Sequence, residues 1–173
     1  GDAIFETQIG KLGTLLFFCL KSRPADLKKF LNTLEKIESP YEILKEESSK
    51  GRLIMKLSKY AGDYANKLME KAAKTKPDGK LLVFTYETSK ISMSGLASNF
   101  LLHTFKDKVV IIARDTGEEM ICSFRAPNSL NLNLEDVLKP ALEGLKGRFG
   151  GHSKACGGNI SKEDFWVFID RLK

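Results

Sequence analysis

The chain has few cysteines and few histidines, which restricts the sites that depend on them. Its three cysteines, Cys19, Cys122 and Cys156, are odd in number and form no CxxC pair. A disulfide framework is therefore not expected, and a reducing cytoplasm fits this composition better. The two histidines, His103 and His152, lack the paired ligand spacing that is typical of structural metal sites. The sequence predicts no metal site within this chain.

Long apolar runs and a secretory signal are also missing. The longest apolar stretch, residues 13–20, falls well short of the roughly 20 residues that a membrane-spanning helix requires. Asp2 and Glu6 lie near the start without an early basic region, which argues against a signal peptide. The first residue is Gly rather than Met, which points to an excised or processed chain. We therefore expect a cytoplasmic protein without membrane attachment.

Negative charge is in the minority, because 28 Lys and Arg residues outnumber 22 Asp and Glu residues. The net charge of +6 modestly favours an anionic partner. Most of the positive charge is Lys spread along predicted helices, which is equally typical of a solvated surface. Arginine is scarcer, and two arginines, Arg125 and Arg148, lie next to the most unusual segments of the chain.

The first part of the chain has the apolar spacing of helices. The pattern predicts helices over 24–37 and 52–73, with a break at Pro40 between them. The segment before Pro24 fits either a buried strand or a helix, since periodicity does not separate the two for a short apolar run. We interpret residues 1–76 as a mostly helical lead-in.

Beyond this lead-in the pattern changes to short, β-rich apolar runs. Such runs predict strands over 80–86, 108–114 and 119–125. The segment between the first two has helical spacing, with Ser94 as its predicted N-cap. A strand–helix–strand order predicts a parallel pair, and the short turn before the third strand predicts a hairpin.

The end of the chain carries two further helix signals. Asn133 is placed to cap a helix that runs to about residue 145, and residues 161–164 (SKED) match a capping box that opens a last helix. The predicted fold class is α/β, with a mixed, partly parallel sheet flanked by helices over residues 77–173. The mostly helical lead-in precedes it.

The segment "GRFGGHSKACGGNI", residues 147–160, devotes five positions to glycine. Glycine has no side chain to pack, and it loses the most conformational freedom on folding. We interpret the segment as a loop whose backbone N–H groups cradle an anion, with a flexible surface loop as the alternative. The side chains in this segment that could assist a phosphate contact are Arg148, His152 and Lys154.

Two other stretches carry polar side chains at positions where binding sites form. Ser123 and Arg125 lie at the end of a predicted strand, and Ser98 and Asn99 lie in the first turns of the predicted crossover helix. Strand ends and helix starts of an open α/β sheet converge on one crevice. These four residues and the glycine segment are therefore expected to meet.

Three blocks carry a resemblance to a known family: "SGLASNFLLHTFKDKVVIIA", "ICSFRAP…LNLEDVL" and "RFGGHSKACGGNI". In this order and spacing, they resemble the DHH-associated substrate-binding domain, which follows the catalytic DHH domain in RecJ-type single-strand exonucleases and related oligonucleotide phosphoesterases. The similarity covers about 80–173, and the GGH-x-x-A-x-G pattern is its most specific part. Alanyl-tRNA synthetases carry a relative of the domain whose glycine block is less similar.

The resemblance implies roles for particular residues. Arg125 matches the family's arginine after the S-x-R strand, and the GGH turn at Gly150, Gly151 and His152 matches the segment that grips a nucleotide phosphate. Asn99 departs from the arginine that is common at its position. The candidate nucleic-acid- or phosphate-binding residues are Ser98, Asn99, Ser123, Arg125, Arg148, Gly150, Gly151, His152 and Lys154.

The resemblance also implies a reaction for the parent protein, the hydrolysis of phosphodiesters by water activated between two Mn or Mg ions. Those metals need an Asp-His-His triplet and separate aspartates, and this sequence contains no such triplet. We therefore expect this chain to bind substrate without cleaving it. The expected partners are single-stranded DNA or RNA, or a short oligonucleotide, and the catalytic DHH domain of the same polypeptide.

Two alternatives remain open from the residues alone. RecJ-related proteins that have lost cleavage serve replication or repair complexes, so a non-catalytic scaffold is one alternative. An accessory domain for tRNA editing is the other, and it would favour folded tRNA over linear strands.

Overall fold

The computed structural model describes residues 6–88 and 91–173, and the chain divides into two compact units after Leu68. The described part of the first unit contains four helices, of which the last continues past the division. They are α1 (Gln8–Leu20), α2 (Pro24–Leu34), α3 (Pro40–Leu44) and α4 (Ser49–Ala73). Their shared core consists of Cys19, Phe30, Ile43 and Ile54. The helical lead-in is confirmed, while the boundary placed between residues 76 and 77 stays a prediction.

The lead-in differs from the predicted pattern at its helix ends. The segment before Pro24 is helical, and the Thr7 side chain accepts a hydrogen bond from the Gly10 N–H at its start. Pro40 separates two helices as predicted, but it is also the first residue of α3, whose start is stabilised by a capping box of Ser39 and Glu42. Proline is well tolerated at this position, where its missing N–H would have had no helical partner.

The second unit contains a five-stranded sheet in the order β1-β2-β3-β5-β4. Its strands are β1 (Leu81–Glu87), β2 (Val109–Asp115), β3 (Glu119–Arg125), β4 (Gly147–His152) and β5 (Ala155–Ser161). The β1–β2 pair is parallel and is linked by helix α5 (Ser94–Thr104), and the other three pairs are antiparallel. The mixed, partly parallel sheet is therefore confirmed.

The N-cap predicted for α5 is wrong. Met93 occupies the cap position and makes no side-chain capping bond. Ser94 lies in the first turn of the helix instead, where it is buried and its hydroxyl lies 2.8 Å from the Tyr86 hydroxyl. Because a buried hydroxyl needs a hydrogen-bond partner, the serine is committed to this contact rather than to a cap.

The loop interpretation of residues 147–160 is also wrong, because this segment forms the hairpin β4–β5 around a turn at Ser153 and Lys154. Phe149, on β4, packs its ring 4.8 Å from that of Phe124 and 5.0 Å from that of Phe168. The glycines conceal the alternation of a strand, since a position without a side chain does not register as apolar or polar.

One face of the sheet packs against two helices, α6 (Leu134–Leu142) and α7 (Phe165–Arg171), to form the core of this unit. Asn133 caps α6 as predicted, accepting from the Glu135 N–H at 3.2 Å. Ser161 ends β5 and residues 162–164 form a turn, so Asp164 rather than Ser161 lies at the N-cap of α7. Ser161 and Asp164 still bond each other there, since the Ser161 hydroxyl lies 2.8 Å from an Asp164 carboxylate oxygen.

Among residues 6–88 and 91–173, no helix combines the length and the apolar character that crossing a bilayer demands.

Candidate functional site

The strand register places most of the predicted site residues on one face of the sheet, which we call the site face. Residues paired directly across antiparallel strands point to the same side, and neighbours along one strand alternate. Read from β3 through β5 to β4, the site face has three rows. They are Ile121–Asn159–Arg148, Ser123–Gly157–Gly150 and Arg125–Ala155–His152.

Helix α5 packs on the β2 and β3 part of the site face. Two contacts fasten it there: the Ser98 and Ser123 hydroxyls lie 3.2 Å apart, and the Arg125 Nε donates to the Asn99 side-chain oxygen at 3.1 Å. Toward β4 the face is open, because the chain leaves Gly150 and His152 exposed there. The site face is therefore a shelf with a helical wall along one side.

Three glycines of the hairpin are required by its own packing, and we call them the packing glycines: Gly147, Gly151 and Gly158. A Cβ on Gly158 would overlap the Arg148 carbonyl oxygen and would lie 2.6 Å from the Phe149 ring. A Cβ on Gly147 would lie 2.6 Å from the Asn159 carbonyl oxygen. These glycines let the two strands and the Phe149 ring approach closely.

The other two glycines, Gly150 and Gly157, form what we call the bare strip. They pair directly across β4 and β5 in the middle row of the site face. A Cβ on Gly150 would meet nothing within 4 Å, and one on Gly157 would meet only the Cys122 carbonyl oxygen at 3.6 Å, an ordinary contact. Neither residue has a positive φ. Packing within the described chain therefore does not require glycine at either position.

Arg125 borders the shelf, and no described residue neutralises its charge. Its Nε donates to Asn99, and its Nη1 donates to the Phe124 carbonyl oxygen at 2.8 Å. Among the described residues no carboxylate pairs with it. Burial lowers the pKa of the Arg125 guanidinium from its ordinary value. Arginine nevertheless stays protonated in proteins. A half-buried cation with only neutral partners favours an anion at this position.

The two predicted serines lie beneath the surface of the site face. Ser98 is fully buried, and its hydroxyl donates to the Gly95 carbonyl oxygen at 2.9 Å. A hydroxyl has one hydrogen, so Ser123 must be the donor in the bond between the two serines. Both hydroxyl protons are thereby used within the protein. The hydrogen bond between the two serines therefore joins α5 to β3. Their contact with a ligand stays a prediction.

Lys154 and Gly151 lie away from the site face. The Lys154 ammonium donates to the carbonyl oxygens of Leu130 and Leu132, at 2.5 and 2.9 Å, and so fastens the segment before α6 to the hairpin turn. Two of its three donors are occupied by these bonds. Gly151 pairs with Cys156, on the core side of the hairpin. The predicted site role of both residues is untested, but the structure shows a packing reason for each.

Four residues of the site face were missing from the predicted set, and two of them, Gly157 and Asn159, border the open part of the face. Asn159 pairs with Arg148 and lies half-buried at one end of the bare strip. The alternation of Ala155, Gly157 and Asn159 was the available signal. It becomes readable only after the segment is recognised as a strand.

The thiols are protected and neutral. Burial raises the pKa of Cys19 to about 11 and that of Cys122 to about 12, and it raises the pKa of Cys156 as well. Within the described ranges, no three His, Cys, Asp or Glu side chains are grouped so as to hold a metal ion. The donor set that the described residues offer therefore does not fit a divalent-metal site.

Comparison with known proteins gives a family match and several similar folds. The DHHA1 domain family matches residues 78–173. No match is found among curated proteins. Exonuclease RecJ bound to manganese is similar at a TM-score of 0.54 and 16% identity, covering 77% of this chain and 34% of that one. RecJ in complex with Mg²⁺ from Thermus thermophilus has a TM-score of 0.53 and 15% identity, covering 85% and 24%.

A third structure, a pGpG-specific phosphodiesterase from Vibrio cholerae, has a TM-score of 0.50 and 10% identity and covers 78% of this chain. The chain covers 50% of that structure and less of the two RecJ structures. At such identities the likeness concerns the fold alone.

Proposed function

This chain belongs to the DHHA1 domain family, related to RecJ and the DHH phosphoesterases, and from that premise we propose that residues 78–173 bind a single-stranded nucleic acid or a short oligonucleotide. The domain holds the phosphodiester backbone for a catalytic DHH domain of the same polypeptide. In this proposal Mn or Mg ions are held by that catalytic domain, where they would activate water.

The observation that carries the proposal is the unneutralised charge of Arg125 at the edge of the shelf. Its guanidinium is half-buried and, among residues 6–88 and 91–173, bonds the Asn99 amide and the Phe124 carbonyl and no carboxylate. Burying a cation without a counter-ion is unfavourable, and a phosphate would supply the missing charge. Guanidinium–phosphate bonds are charge-assisted and frequently bidentate, which gives geometric selectivity as well as affinity.

The bare strip supports the same proposal. A ligand that enters from Arg125 crosses exposed backbone at Gly157 and Gly150, so it can approach the sheet more closely than side chains would permit. His152 lies two strands from Arg125 in the same row, roughly 10 Å away at the usual strand spacing. Arg148 lies at the other end of β4 on the same face. These cationic and hydrogen-bonding groups surround the strip, as phosphate binding requires.

The test is binding of a fluorescein-labelled, single-stranded 12-mer to the 173-residue chain over a range of salt concentrations. Arg125→Ala is expected to weaken binding by about 1.5–3 kcal/mol, the range for hydrogen bonds to a charged group. It should also reduce the slope of log affinity against log salt by about one. Arg23→Ala is the matched control, because it removes an exposed arginine that pairs with Asp26 in the helical lead-in. The control should bind within twofold of the unaltered chain.

Unchanged binding by Arg125→Ala would refute the assignment of the site. A failure of the unaltered chain to bind any single strand at low salt would remove the nucleic-acid function and favour the scaffold alternative. Tighter binding of folded tRNA than of the 12-mer would favour the editing alternative.

A further inference from the structure

The orientation of the Asn99 carboxamide is determined by its neighbour. Arginine only donates hydrogen bonds, so the Asn99 group that meets the Arg125 Nε at 3.1 Å must be the oxygen. The Nδ2 group therefore points away from the Nε. Asn99 lies on α5, whose fully buried Ala97, Ser98 and Leu101 anchor the helix against the sheet. The acceptor is thus held on a rigid element.

The donors of Arg125 that this contact leaves free are the ones that can meet a ligand. A guanidinium carries five N–H groups in a planar fork. Asn99 takes the Nε donor and the Phe124 carbonyl takes one donor of Nη1. The lateral edge, made by Nε and Nη2, is therefore blocked at Nε. Among the described residues, none takes the second donor of Nη1 or either donor of Nη2.

We propose that Asn99 is a positioning residue: it holds Arg125 at Nε so that the free donors of Nη1 and Nη2 are presented to a phosphoryl group. This inference rests on the proposed function of the site face. The Asn99 side chain must be uncharged for this role, because a carboxylate at this position would neutralise the Arg125 guanidinium. Unlike the arginine that the resemblance leads one to expect at this position, Asn99 offers Arg125 a hydrogen-bond acceptor.

A first experiment needs no ligand. The hydrogen exchange of the Arg125 Nε–H with water is measured by NMR on the 173-residue chain. In Asn99→Ala this exchange should accelerate by about fivefold, the factor that corresponds to one net hydrogen bond. An unchanged exchange rate would show that Asn99 does not hold the guanidinium, and it would overturn the proposal.

A second experiment uses the labelled 12-mer. Asn99→Ala should weaken binding by about fivefold when residue 125 is arginine, because binding must then order a freer guanidinium. In an Arg125→Lys background the loss should be less than twofold, since lysine has no Nε–H to orient. Asn99→Asp preserves the shape of the side chain and should weaken binding further. It should also reduce the salt slope by about one, as neutralisation of one phosphate-binding cation does. Asn66→Asp, on the exposed side of α4, makes the same charge change and is expected to bind within twofold of the unaltered chain.

The outcomes separate the two proposals. Normal binding by both Asn99 variants, with the unaltered chain binding well, would overturn the role of Asn99 and leave the proposed function standing. If Asn99→Ala reduces the affinity for the 12-mer equally with arginine and with lysine at position 125, the two residues act independently. That result would also contradict the positioning role. If the unaltered chain binds no strand, the proposed function fails, and the exchange measurement still decides whether Asn99 orients Arg125.

Discussion

Gly157 and Gly158 are neighbours in sequence, yet they are glycine for different physical reasons. Gly158 faces the core, where a Cβ would overlap the Arg148 carbonyl oxygen and the Phe149 ring. Gly157 faces the other side of the sheet, where a Cβ would make only an ordinary contact with the Cys122 carbonyl oxygen. One glycine is needed so that the sheet can pack, and the other leaves the sheet open.

This difference shows how a glycine-rich strand can serve stability and binding at once. Successive residues of a strand point to opposite faces, so a pair of adjacent glycines clears one position on each face. The core-facing position lets Phe149 pack against Phe124 and Phe168. The outward-facing position contributes to the bare strip. Substitutions on the two faces should therefore separate folding from binding.

The largest effect on stability is expected from Gly158→Ala. The added methyl group would force the Arg148 backbone and the Phe149 ring apart, and such overpacking should lower the free energy of unfolding by about 3 kcal/mol. Urea denaturation measures the change. Gly157→Ala is the matched control, and its free energy of unfolding should stay within about 1 kcal/mol of that of the unaltered chain. Equal stabilities of the two variants would contradict the division into packing glycines and a bare strip.

The next largest effect on stability is expected from Lys154→Met. It removes both ammonium bonds to the Leu130 and Leu132 carbonyl oxygens while keeping most of the aliphatic side chain. We expect the free energy of unfolding to fall by about 2 kcal/mol, since hydrogen bonds to a charged group are involved. Affinity for the 12-mer should change by less than twofold. A large loss of affinity without a loss of stability would instead assign Lys154 to the phosphate site.

Gly150→Thr is expected to affect binding and stability in opposite directions. A β-branched residue suits an edge strand and replaces a flexible glycine, so the free energy of unfolding should rise by about 0.5–1 kcal/mol. The same side chain would occupy the bare strip, and affinity for the 12-mer should fall by about tenfold, or 1.4 kcal/mol. Full affinity in this variant would show that no ligand lies over the strip.

The smallest effect concerns the base of the hairpin, and it depends on pH. Hydrogen bonds from the Lys146 backbone N–H and from the Ser161 hydroxyl lower the pKa of Asp164 below its ordinary value. A lowered folded-state pKa contributes stability that is present above the pKa of the unfolded chain and is lost as the pH falls through the folded pKa. We expect Asp164→Asn to flatten this acid-side loss in urea titrations. An unchanged pH profile below about pH 4, the ordinary range of Asp, would contradict this role.

Much of the fold was predictable from local chemistry. The apolar runs of β1 and β2 predicted strands at nearly their observed bounds, and Asn133 predicted the start of α6. These features depend on side chains whose preferences act within a few residues. The hairpin β4–β5 was not predicted as strands, because glycine has little β preference and leaves no alternation to detect.

The candidate site was predictable in its residue types but not in its arrangement. Arg125 and His152 were chosen from their setting and from the resemblance, and the register places them in one row. Lys154 donates to the carbonyl oxygens of Leu130 and Leu132, which lie in another loop, and no local sequence pattern indicates this contact. The acceptor that Asn99 offers to Arg125 likewise joins residues of a helix and a strand that are far apart along the chain.

By itself, the sequence determined the helical lead-in, the order of strands and helices over most of the second unit, and the supply of glycine, arginine and histidine near the end of the chain. Only the tertiary structure decided which face each of those residues occupies. The physical reason is that a strand's side chains alternate, so a shift of one residue in the pairing would exchange the two faces. The register among β3, β5 and β4 therefore separates the glycines that pack from those that leave the sheet open.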